Sequence, residues 1–267
     1  MKKHLKSSRK AAYSLVALAT AAISPGTFAD TLGFYAGGGI WQANFEGDIG
    51  VSTPPATLDE LGIGNSQNNY FFFALEHPVP IIPNLRIVST SLNTDGSATI
   101  TREISFDSLD VPVNADTNSE LDLSHTDYTV YWEVMDNYLS LDLGFTARDF
   151  DGYASIDYVV AATETTPEET GSEREELDAT LPMLYTKVQL DLPITGWFVG
   201  GSANYVSYEG NSISDLEAKI GYLTEGLGLD VGFDLGYRQM TVEADDDENV
   251  KADLNVNGAF ASFIVHF

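Results

Sequence analysis

The stretch Leu139-Ser140-Leu141-Asp142-Leu143-Gly144-Phe145-Thr146-Ala147-Arg148 alternates between apolar residues and polar or small ones. Successive side chains of a β-strand point to opposite faces, so one face here is apolar and the other carries Asp142, Thr146 and Arg148. A tilted strand needs about nine to eleven residues to cross hydrocarbon, whereas soluble strands average about five or six. A run of this length and period is the pattern of a membrane barrel wall, apolar outward and polar inward.

The same period recurs along the chain. Leu229, Val231, Phe233, Leu235 and Tyr237 oppose Asp230, Gly232, Asp234, Gly236 and Arg238. Leu184, Val188, Leu190 and Leu192 oppose Tyr185, Lys187, Gln189 and Asp191, and Tyr128, Val130, Trp132 and Val134 oppose Thr129, Tyr131 and Glu133. The pattern predicts strands over 32–45, 69–77, 85–106, 119–135, 138–149, 179–192, 197–208, 215–225, 229–243 and 253–267. Connections alternate in length. Short turns fall at 78–84, 136–137, 193–196 and 226–228, and longer, acidic connections lie between them. Outer-membrane barrels have short periplasmic turns and longer extracellular loops. The fold expected is all-β: an antiparallel up-and-down transmembrane β-barrel of about ten strands, one domain over 30–267, with long acidic extracellular loops. The phases of the second and third strands are ambiguous, which leaves eight or twelve strands open.

The first 29 residues read as a cleaved signal peptide, and hence as export to the cell outer membrane. Lys2, Lys3, Lys6, Arg9 and Lys10 form a basic head, 11–23 a short apolar segment, and Thr27-Phe28-Ala29 a small-residue exit. The apolar segment is too short for a membrane helix, which needs about twenty residues. Loss of these five cations and no acids takes the formal charge from -27 to -32. So acidic a chain offers few cations for phosphate, which excludes nucleic acid as a partner. With no cysteine, disulfides cannot contribute, and burial or membrane insertion must stabilise the fold.

The C-terminus ends Phe263-Ile264-Val265-His266-Phe267, with Phe263, Val265 and Phe267 at alternate positions. This resembles the terminal strand that the barrel-assembly machinery reads. That machinery, periplasmic chaperones, membrane lipid and lipopolysaccharide are therefore the expected partners of a monomeric barrel. Trp41, Phe45, Tyr70, Phe71, Tyr205 and Tyr208 fall near predicted outer strand ends, and Tyr138, Trp197 and Phe267 near inner ends, as interfacial girdles would. Leu32-Gly33-Phe34-Tyr35-Ala36-Gly37 with Trp41, residues 78–86, Leu181-Pro182-Met183-Leu184-Tyr185, and 191–196, 233–238 and Phe267 together resemble the small, functionally uncharacterised outer-membrane β-barrel proteins. The resemblance spans nearly all of 30–267. It implies architecture and brings no assigned activity, cofactor or catalytic residue.

Three places could carry chemistry. Glu133, Asp142, Arg148, Lys187, Asp191, Asp230, Asp234 and Arg238 are expected to face the lumen, with Glu217 and Lys219 as further candidates. They fill it with ion pairs, or line a narrow cation-preferring path; a small barrel favours the first, because lumen width grows with strand number. Acidic residues 164–178 and the run Asp245, Asp246, Asp247 and Glu248 could meet divalent cations through oxygen ligands, although the spacing is not that of a built calcium loop. His125 and Asp127, two apart on one strand face at the expected outer rim, could support an omptin-like hydrolase, Asp127 orienting the ring of a general base. No phosphate loop, metal-spaced histidine cluster or nucleophile elbow occurs. The leading expectation is non-enzymatic: envelope structure, surface contact or narrow passage of small solutes.

Overall fold

A computed structural model describes residues 32–51, 54–224, 229–244 and 251–267. The signal segment 1–29 and the run Asp245, Asp246, Asp247 and Glu248 lie outside the described residues. The elements are β1 (Gly33–Gly50), β2 (Ala56–Thr57), β3 (Ser66–Glu76), β4 (Asn84–Thr90), β5 (Asn93–Thr99), β6 (Ile104–Phe106), β7 (Leu109–Val111) and β8 (Asp116–Asp122). They continue with β9 (His125–Met135), β10 (Leu139–Val160), β11 (Glu169–Asp191), β12 (Trp197–Tyr208), β13 (Asn211–Leu223), β14 (Asp230–Ala244) and β15 (Lys251–His266).

Ten of these close into an antiparallel barrel in the order β1-β3-β4-β9-β10-β11-β12-β13-β14-β15, and β15 returns to β1. The seam runs from Tyr35 opposite His266 to Gly50 opposite Lys251. Phe34 and Phe267 extend it by exchanging both backbone hydrogen bonds, 2.8 and 3.0 Å, with their rings stacked at 5.5 Å. Closure leaves no open sheet edge around the wall, as hydrocarbon requires.

The outward face is apolar over one continuous band. Ile40, Phe71, Phe73, Val130, Trp132, Leu143, Phe145, Leu184, Val188, Ile220, Phe233 and Leu235 are all exposed. On β10 this face changes to Asp149 and Asp151 above Ala147, and on β14 to Gln239 above Tyr237. The band is thus about one membrane-crossing strand tall.

Two predicted strands differ. Residues 85–106 are not one wall strand: β4 ends at Thr90, and β5 leaves the wall to pair with β8, which in turn pairs with the upper part of β10. Residues 119–135 likewise divide between β8 and β9. Polar outward residues at Ser89 and Thr126 end the apolar pattern there, so the wall strands stop with the band. The connection expected over 150–178 is mostly strand, because β10 and β11 stay paired from Leu139–Leu190 up to Val160–Glu169. The result is a sheet of β5, β8, β10 and β11 standing beyond the apolar band.

Residues 54–65 and the connection 100–115 between β5 and β8 fold back over the mouth at the foot of that sheet. Leu58, Leu61, Ile63, Leu92, Ile104, Phe106 and Val111 pack with the wall residues Trp41, Phe45, Met240, Val256 and Phe260 in one buried apolar cluster. Arg102 ties the two segments together. It donates to Glu60 from Nε (2.9 Å) and Nη2 (2.8 Å), and to the carbonyls of Pro54 (3.1 Å) and Pro55 (2.7 Å).

Trp41, Phe45 and Tyr70 correct the girdle expectation. They are 0, 3 and 8 % exposed and face inward, because they share the inner phase of β1 and β3. Phe71, Tyr205, Tyr208, Tyr138, Trp197 and Phe267 do face outward or lie exposed. Gly37 and Gly39 make room for the inward rings: a Cβ on Gly37 would lie 2.4 Å from Phe72, and one on Gly39 2.6 Å from Tyr70.

Two outcomes follow from this packing. Gly39→Val should destabilise the barrel by about 1–3 kcal/mol through overpacking against Tyr70, whereas Gly64→Ala, where a Cβ meets open space, should not; heat-modifiable gel mobility separates them. The Arg102 guanidinium holds the Glu60 carboxyl down to about 2 from an ordinary 4.5. This contribution is therefore full above pH 4.5 and lost as pH falls toward 2. Carboxyl NMR titration of Glu60 should show that depressed value, and Arg102→Gln should return it toward 4.5.

Candidate functional site

The inner phase of each wall strand brings polar side chains into the lumen, where they stack in layers. The uppermost lies at the loop-side edge of the apolar band. Arg148 on β10 is fully buried and grips Asp127 on β9 from Nε and Nη2, each at 2.7 Å. Its Nη2 also donates to Asp215 on β13 at 2.6 Å. Arg238 on β14 donates to the same carboxylate from Nε (2.9 Å) and Nη2 (2.6 Å), and to Thr90 Oγ1 on β4 at 3.3 Å. Its guanidinium lies over the Trp41 ring on β1, 4.7 Å from the centroid. Two guanidinium groups and two carboxylates therefore form a neutral, buried grid that ties wall strands from all around the barrel. Buried charges are tolerated when paired and hydrogen-bonded in this way.

His125 belongs to the same layer. Its Nδ1 faces the Leu123 carbonyl at 2.8 Å and its Nε2 faces Arg238 Nη2 at 3.4 Å. A carbonyl accepts and a guanidinium donates, so these partners assign a neutral ring protonated on Nδ1. This corrects the rim expectation. His125 and Asp127 share a face, but both are buried beneath the apolar cap. Asp127 is spent on Arg148, and among the described residues no hydrogen bond joins it to His125. His125, Asp127 and Asp215 could bring ligand atoms within 4.8 Å of one another, as a metal site would need. Both carboxylates are already neutralised by arginine, so this donor set does not suit a cation.

Below the grid, Thr129, Thr146 and Asn204 form a hydroxyl–amide bridge, 2.8 and 2.7 Å. Lys219 then pairs with Glu217 (3.0 Å) and Asp234 (3.2 Å), and Ser262 donates to Asp234. Lower still, Lys187 lies 3.3 Å from Asp142, and the Tyr131 hydroxyl donates to Glu76 at 2.7 Å. Here the lumen widens into a vestibule of about 520 Å³ at the turn end. Glu133, Asp142, Lys187, Asp191 and Asp230 all border it. His266 Nδ1 lies 3.2 Å from Asp230 at its rim.

The predicted lumen residues are thus divided: Arg148 and Arg238 lie in the closing grid, Asp234 in the middle layer, and the rest around the vestibule. Phe263, Val265 and Phe267 lie on the outer face or end of the seam strand. Sequence reasoning missed Asp215, the carboxylate shared by both arginines, although it stands in phase with Glu217 and Lys219. It also missed Glu76 and Arg86, on the two strands whose phase was ambiguous, and read Trp41 on β1 as a girdle residue.

No protein-family model matches the sequence, and no curated protein matches it. The chain is similar in structure to the outer membrane protease OmpT from Escherichia coli, with 9% identity over 88% of this chain and 96% of that one, TM-score 0.44. It is also similar to Ail, the attachment invasion locus protein of Yersinia pestis, with 10% identity over 87% and 98% of the two chains, TM-score 0.32. A third similar structure is the monoaromatic hydrocarbon channel CymD, with 7% identity over 86% and 87%, TM-score 0.28.

The grid makes a sharp prediction. Arg148→Met strands the buried Asp127 carboxylate, while Asp215 keeps Arg238, and should cost about 3–5 kcal/mol in urea unfolding from lipid vesicles. The pair Arg148→Met with Asp127→Leu should recover part of that loss; a single variant of wild-type stability would contradict the grid.

Proposed function

We propose that this chain is a monomeric outer-membrane barrel, closed to solutes, that anchors an acidic β-sheet at the cell surface for envelope structure and surface contact rather than catalysis. The observation that carries this reading is the pairing of a closed lumen with a sheet continued far beyond the apolar band. The outward face of that sheet bears Asp95, Glu120, Asp151, Asp157, Glu176 and Asp178, all exposed, against Arg174. Exposed carboxylates at this density attract hard cations such as Ca²⁺ or Mg²⁺, which would bridge them to anionic lipopolysaccharide.

The other parts of the chain fit the same role. The apolar band matches the lipid of an outer membrane, and short turns on one side with long connections on the other match periplasmic and external ends. The basic-apolar-small order of the first 29 residues supplies export, and the Phe263, Val265, Phe267 strand supplies the signal for chaperones and the assembly machinery. Solute passage is the weaker reading, because a path from the vestibule meets both the arginine grid and the apolar cap. Hydrolysis by His125 and Asp127 has the least support, since neither is reachable from the rim.

The chain has no cysteine, so single cysteines report placement cleanly. Thr165→Cys, between β10 and β11, should react with an impermeant maleimide on intact cells. Ile81→Cys, in the turn between β3 and β4, should react only after lysis. Replacing 151–178 by a short turn should keep a folded barrel yet raise sensitivity of the cells to deoxycholate. Reversed labelling, or unchanged sensitivity, would contradict the proposal.

A further inference from the structure

Arg86 stands apart from the other described arginines. Arg102, Arg148, Arg174 and Arg238 are each held by a carboxylate within 2.6–2.9 Å. Arg86, on the inner face of β4, borders the vestibule and is partly buried. Among the described residues its guanidinium makes no direct hydrogen bond or ion pair, although its backbone is paired in the ladder. Three carboxylates of the same cavity are already engaged: Glu217 by Lys219 at 3.0 Å, Asp142 by Lys187 at 3.3 Å, and Glu76 by the Tyr131 hydroxyl at 2.7 Å. Three cations, Arg86, Lys187 and Lys219, border one cavity together with seven carboxylates, so that an anion would be held by a local cation rather than by the overall charge. The fork of a guanidinium suits a planar carboxylate held by two hydrogen bonds.

The rest of the cavity says what the carboxylate is attached to. Tyr35, Tyr70, Phe72, Tyr131 and Tyr185 supply aromatic wall around the vestibule. Tyr131 and Tyr185 lie with ring centroids 5.9 Å apart. A volume of about 520 Å³ falls in the range of small-molecule pockets, which combine apolar walls with a few placed polar groups. We infer that the vestibule is a binding site for a small carboxylate with an aromatic or apolar body, entering from the turn end, its carboxylate on Arg86. Glu133, Asp136, Asp191 and Asp230 border the same cavity, and their charge opposes an anion on entry. The site is therefore tuned in opposite senses by Arg86 and by Glu133. A cationic ligand would reverse both signs.

Titration calorimetry on the full barrel in lipid nanodiscs tests this, with 3-phenylpropionate and 3-phenylpropylamine as probes. The acid should bind the wild type. Arg86→Gln should weaken it by about tenfold or more, the loss expected of a charge-assisted pair, and Arg86→Lys by less. Glu133→Gln should tighten it, and Arg102→Gln, remote from the cavity, should leave it unchanged. Heat-modifiable mobility verifies that each variant is folded. Preference for the amine, unchanged binding in a folded Arg86→Gln barrel, or no binding of the acid would each overturn the inference.

Discussion

The structure depends on one constraint: charges fully buried in the upper lumen must be paired there. Strand alternation that turns Leu143 and Phe145 to lipid necessarily turns Asp142, Thr146 and Arg148 inward. Those inward groups lose bulk water on one side and gain only what the opposite wall offers. Asp215 answers two arginines at once, and Asp127 answers Arg148 with both oxygens. The grid so formed ties strands far apart in sequence. It fixes their register, because a one-residue slip would send a paired charge into lipid.

The grid also decides what lies on either side of it. Above, residues 54–65 and 100–115 can pack an apolar cap on Trp41 and Met240, because the charges beneath are already neutral. Below, the pairs grow looser and more solvated, from Lys219 with Asp234 to Lys187 with Asp142, and the lumen opens into the vestibule. The chain thus has a sealed loop end and a wet turn end. A surface role for the first and a small-molecule site in the second are compatible, since neither needs a continuous channel.

Much of this was legible in sequence because period two is a strong local signal wherever a strand faces lipid on one side. β12, β14 and β15 could be drawn within a few residues. The signal failed where a strand leaves the membrane. Residues 85–106 and 119–135 keep β-forming composition past Thr90 and above His125, and nothing local marks the change from wall to projecting sheet. The acid-rich segment 164–178 looked like a solvated loop, yet most of it is held by the long ladder with β10. Aromatic rings misled for a related reason: Trp41 and Tyr70 stand near strand ends, and only the phase set by Gly37 and Gly39 turns them inward. The pairing of Asp215 with two arginines was not readable at all, because it depends on which strands face each other across the lumen.

The central claim is that the arginine–aspartate grid and its cap seal the lumen. Planar-bilayer recording on the refolded chain, in KCl and with insertion verified independently, tests it directly. The wild type should be electrically silent. A variant lacking the cap segment 100–115 and carrying Arg148→Ala and Arg238→Ala should show discrete steps. Reproducible wild-type conductance with cation preference would mean an open path past Asp142 and Asp234, and would contradict the account.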